Sequence, residues 1–77
     1  MSDFHIWGRV EHVGPSQFLA IATAIRADAS SDGLDVLHEI ASSRETAEVL
    51  LKEAMVTLGK RVRLLGHRVI DVDADGI

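Results

Sequence analysis

The dipeptide Asp32-Gly33 constrains this chain more than any other feature, because it separates two alternating apolar runs. A two-residue hairpin loop of the favoured kind needs positive φ at both central residues, which Asp-Gly supplies at low cost. Counting outward from that turn sets a register. Ser31 faces Leu34, Ala29 faces Val36, Ala27 faces His38, Arg26 faces Glu39 and Ile25 faces Ile40. The count matches one opposite-charge pair and one aliphatic pair, both of which stabilise neighbouring strands.

The strand before this hairpin follows from period-two patterning. From Phe4 to Val13, Phe4, Ile6 and Val10 fall on one side, while His5, Trp7, Arg9 and Glu11 fall on the other. Gly14-Pro15 ends the run as a turn. Gln17 to Ala29 is apolar almost throughout, as suits a central strand. A two-residue turn between Val13 and Ser16 would set Val10 against Leu19, Gly8 against Ile21, Ile6 against Thr23 and Phe4 against Ile25. A slip of one residue would exchange the two faces. The third strand is expected over Leu34 to Ala41. Leu34, Leu37 and Ala41 also have helical spacing, but the Asp-Gly signal favours a strand.

A helix follows. Ser42 and Ser43 are both good N-cap residues, and Ser42 has Glu45 at the capping-box position. Ala47, Leu50, Leu51, Ala54, Leu58 and Leu65 share one stripe at 100° per residue. Gly66 suits the position just past the helix end. Two residues oppose a helix of this length. Gly59 is a poor interior residue, and Arg61 falls within the apolar stripe. A helix ending at Leu58, followed by a hairpin pairing Val62–Leu65 with Arg68–Asp71, is the alternative. The last strand is expected over His67 to Ala74, with Ile70 and Val72 inward and Asp71, Asp73 and Asp75 outward. The order βββαβ describes a single α+β domain over residues 1–77. It has an antiparallel three-strand meander, one long helix on one sheet face, and a C-terminal strand placed on the free edge of the first.

One helix cannot cover both faces of a sheet. The other face is the leading candidate site. The expected register gives it Trp7 opposite Ala22, His5 opposite Ala24, Arg9 opposite Ala20 and Phe18 opposite Glu11, with Leu37 on the matching side of the third strand. His5, Trp7, Arg9, Phe18, Ala22 and Leu37 are therefore the candidate interface residues. Extended apolar surface marks interaction sites, and Trp and Arg are favoured where binding energy concentrates. The competing reading reverses the faces and makes Trp7 part of the core.

A second cluster, Lys60, Arg61, Arg63 and Arg68, holds half of the eight Lys and Arg residues. Clustered cations can bind nucleic acid through phosphate. The net charge of −4, the lack of aromatic residues nearby and the plain electrostatic fit of cations to a helix C-terminus all count against that. Asp71, Asp73, Asp75 and Gly76 match the start of a calcium loop, but no glutamate follows at the closing position. His5, His12, His38 and His67 lack metal-ligand spacing, so no metal is expected. No nucleophile motif, phosphate-binding glycine loop or cofactor motif is present, and the chain is not expected to be an enzyme.

The chain contains no cysteine, so no disulfide adds stability to a core this small. Oligomerisation is the remaining common device. The N-terminal MSDFHIWGRV lacks the pattern of a signal peptide, and no apolar run reaches membrane-spanning length. The expectation is a cytoplasmic protein-interaction or accessory module that self-associates or takes a protein partner through the open sheet face. A small-molecule-binding domain is the alternative, and weak nucleic-acid binding through residues 60–68 is a third reading.

Overall fold

A computed structural model of the chain describes residues 2–27 and 33–75. Strand β1 spans Asp3–Gly14, β2 Gln17–Arg26, β3 Gly33–Ala41 and β4 Arg68–Asp75, with helix α1 over Arg44–Leu64 between β3 and β4. The sheet order is β3-β2-β1-β4. The first three strands form the expected antiparallel meander, and β4 joins the free edge of β1 in parallel. A parallel neighbour requires a crossover, and α1 provides it.

Two registers differ from those counted on the sequence. Between β1 and β2 the turn is Pro15-Ser16, closed by Gly14 and Gln17, with an irregularity between His12 and Gly14. Val13 is the extra residue, and the pairing moves by one position. Val10 now faces Ala20, Gly8 faces Ala22, Ile6 faces Ala24 and Phe4 faces Arg26. A one-residue slip exchanges the faces of a strand. Ala20, Ala22 and Ala24 therefore lie buried with Phe4 and Ile6, while the larger residues of β2 lie on the opposite face.

The hairpin register changes more. Ile40 pairs with Leu19 rather than Ile25, Glu39 with Ala20 rather than Arg26, and His38 with Ile21 rather than Ala27. Gly33 pairs with Ile25, so it belongs to the strand and not to a two-residue turn. Ala29, Ser31 and Asp32 lie outside the described residues. The six-residue shift is even, so it preserves the faces of β3. It sets Leu37 beside Ala22 and Ala41 beside Phe18, both pairs on the side that α1 covers.

The long helix forms through Gly59. Ser43, not Ser42, is the N-cap; its side chain accepts from Thr46 N at 3.2 Å, so the Ser42–Glu45 capping box is not used. At the other end Gly66 adopts φ +88°. His67 N donates to Val62 O and Gly66 N to Arg63 O, the paired bonds of a Schellman stop. The buried helix stripe is Ala47, Leu51, Met55, Leu58, Gly59 and Val62. Leu65, expected inside, is the C-cap residue and is exposed. Met55 and Val62 take that inward role. Ile70 and Val72, both expected inward, are half exposed or more. The β1–β4 register shifts between Phe4 and His5, so Ile70 is passed over and half exposed while Val69 packs against the core.

Candidate functional site

The face opposite α1 is built by parity. On β1 it carries His5, Trp7, Arg9 and Glu11, and their partners on β2 are Ile25, Thr23, Ile21 and Leu19. On β3 the row continues with Val36, His38 and Ile40 beside Thr23, Ile21 and Leu19. On β4 it ends with Asp71 and Asp73 beside His5 and Trp7. β2 is thus asymmetric. Along Ala20–Ala24 it offers α1 only alanines, with Phe18 beneath Arg44 at one end, and it turns Leu19, Ile21 and Ile25 toward the face that has no helix. Val36 and Ile40 are 52% and 63% exposed. Trp7, Leu19, Ile21 and Ile25 are partly buried by their strand neighbours alone.

Polar groups organise one side of this surface. The Arg9 guanidinium lies 5.4 Å from the Trp7 ring centroid and pairs with Glu11. Arg9 Nε is closed off from solvent with no hydrogen-bond partner, a cost that the aromatic stack and the ion pair offset. His5 Nδ1 lies 3.5 Å from Asp71 Oδ2. The β4 border is acidic, and the β2–β3 half is apolar.

His5, Trp7 and Arg9 stand on the open face as the sequence reading placed them. Phe18, Ala22 and Leu37 do not. Ala22 is fully buried under α1. Phe18 pairs with His12, stacks on its ring at 4.6 Å and lies beneath Arg44, packed against the core. Leu37 lines a groove of about 300 Å³ between β3 and α1. The β1–β2 slip removes the first two, and alignment with Ala22 removes the third. Leu19, Ile21, Ile25, Val36 and Ile40 are the residues that the sequence reading missed. Their signal was the alternation of large and small residues along Leu19–Ile25, which distinguishes the two faces even where every residue is apolar.

The four cations of the basic cluster do not form one surface. Arg61 leaves the helix toward β3, where its Nη1 donates to Asp35 Oδ2 at 2.5 Å. Arg68 makes two hydrogen bonds to Asp3, at 2.9 and 3.2 Å. Lys60 and Arg63 lie instead beside β4, near Val69 and Val72. His67 accepts from Ser2 N and packs on Phe4, which gives it a structural role.

Asp71 and Asp73 alternate along a strand instead of closing a loop, and Gly76 lies outside the described residues. Among the described residues no group of three His, Asp or Glu side chains is arranged to hold a metal ion. Among them, too, no helix is long and apolar enough to cross a membrane. Comparison with protein-family models, curated proteins and solved structures yields no match.

Proposed function

We propose that this protein is a non-enzymatic interaction domain that forms a symmetric homodimer by packing its uncovered sheet face against that of a second copy, and that it works in the cytoplasm. The observation that carries this reading is the asymmetry of β2, with alanines toward the helix and Leu19, Ile21 and Ile25 away from it. A face that only had to meet water would not need those side chains. Four strands about 4.8 Å apart, paired over some eight residues at about 3.3 Å each, present roughly 500 Å². Two such faces bury on the order of 1,000 Å² in total, the lower bound for a specific interface. The acidic β4 border then lies at the rim, where polar groups are tolerated.

The strand edges support face-to-face packing over edge-to-edge pairing. On β3, Val36 N donates to Asp35 Oδ1 at 2.9 Å, and Arg61 holds that carboxylate. On β4, the aspartates and the irregularity near Ile70 discourage an added strand.

The test is an equilibrium unfolding series on Ile21→Lys and on the unmodified chain. The unmodified protein should show a midpoint that rises with concentration, because association stabilises the folded state by mass action. Ile21→Lys should abolish that dependence while the circular dichroism of the fold persists. A concentration-independent midpoint for the unmodified chain would refute the dimer.

A further inference from the structure

The groove between α1 and β4 has a different chemistry from the sheet face. It encloses about 210 Å³. Ile6 and Met55 form its floor, and Val56 and Val72 stand on either side. Those two valines are 57% and 59% exposed, so the groove is an apolar surface left open at the sheet edge. Lys60 and Arg63 line it as well.

Arg9, Arg61 and Arg68 each have a carboxylate partner, whereas among the described residues neither Lys60 nor Arg63 forms an ion pair. The aspartates of β4 do not neutralise them. Asp71 and Asp73 share the opposite sheet face with His5 and Trp7. Hydrogen bonding at the helix end does not require the cations either, since Arg61 O, Val62 O and Arg63 O already accept from Leu65, His67 and Gly66.

Gly59 supplies a second observation. It is buried in the helix interior, where glycine costs about 1 kcal/mol relative to alanine. A Cβ there would lie 3.3 Å from Arg63 Nη1. The missing side chain leaves room for the guanidinium to lie against the helix beside the groove. A costly glycine, two cations with no ion pair among the described residues and two uncovered valines thus meet at one place, in a chain whose net charge is −4.

We infer that the groove between α1 and β4 binds an apolar ligand bearing a carboxylate. The chain of the ligand lies between Val56 and Val72, and its head group sits at Lys60 and Arg63. Arginine can hold a carboxylate with two parallel hydrogen bonds, and lysine adds charge.

The experiment is a titration of the full chain with octanoate, followed through backbone amide shifts, with octylammonium as the charge-reversed probe. Octanoate should shift residues 56–63 and 69–72 saturably, and octylammonium should not. Lys60→Gln with Arg63→Gln, which removes both charges while keeping polar side chains, should weaken octanoate binding by roughly tenfold, about 1.4 kcal/mol. Gly59→Ala should weaken it less. Ile21→Lys on the sheet face should leave it unchanged, which separates this site from the dimer surface. Equal response to both probes, shifts confined to the sheet face, no saturation, or undiminished affinity in the glutamine variant would each overturn the proposal.

Discussion

Gly8 lies directly beneath Leu51: a Cβ on the glycine would stand 2.6 Å from Leu51 Cδ1 and 2.9 Å from Met55 Sδ. Its β2 neighbour is Ala22, which is fully buried. The helix therefore rests on a patch of minimal side chains and approaches the backbone of the two central strands. Gly8→Ala should cost about 1–3 kcal/mol, the range for overpacking a close-packed interior. Gly14→Ala should cost far less, because its nearest neighbour is the flexible end of Gln17. Thermal melts of the two variants check the contrast.

Gly66 ends the helix at φ +88° with nothing within 4 Å of a Cβ built on it. Space is not the constraint there; backbone conformation is. Gly66→Ala should lose about 1–2 kcal/mol, the cost of the left-handed region for an L-residue. Gly66→Asn should lose less, since asparagine tolerates that region. Denaturant midpoints of the pair distinguish conformational strain from steric clash, which would penalise asparagine more.

The cap assignment gives a clean comparison between neighbours. Ser43→Ala removes the acceptor for Thr46 N and should cost about 1 kcal/mol. Ser42→Ala removes no cap and should be close to neutral. Equal losses in urea unfolding would contradict the assignment of Ser43.

Element order was legible because it rests on local chemistry, whereas the place of the last strand followed only from the crossover rule and the helix through Gly59 had a competing hairpin reading. Alternation in Phe4–Glu11, a serine cap and the Gly66 stop are properties of a few adjacent residues. Register was not legible. It depends on Val13 being passed over in the first turn, and nothing in Val13-Gly14-Pro15-Ser16 separates that from a plain two-residue loop. The Asp-Gly signal also overstated its reach: Gly33 pairs with Ile25 within the sheet. Both registers depend on how the strands pack across the sheet and against α1, which is a tertiary property. The site followed the register. His5, Trp7 and Arg9 were placed by β1 alone, whereas Phe18, Ala22 and Leu37 depended on pairings that shifted. In the basic cluster, adjacency in sequence concealed divergence in space, since helical residues one apart point about 100° from each other.

The central claim is that the uncovered sheet face joins two copies of this chain, and sedimentation equilibrium of the unmodified protein over a wide concentration range tests it most directly. The predicted result is a mass rising from one chain to two and then levelling. Emission from Trp7, the only tryptophan, should shift to the blue over the same range. Trp7→Lys should remain at one chain throughout. A mass of one chain at every concentration, with Trp7 emitting as a solvent-exposed indole, would contradict the account.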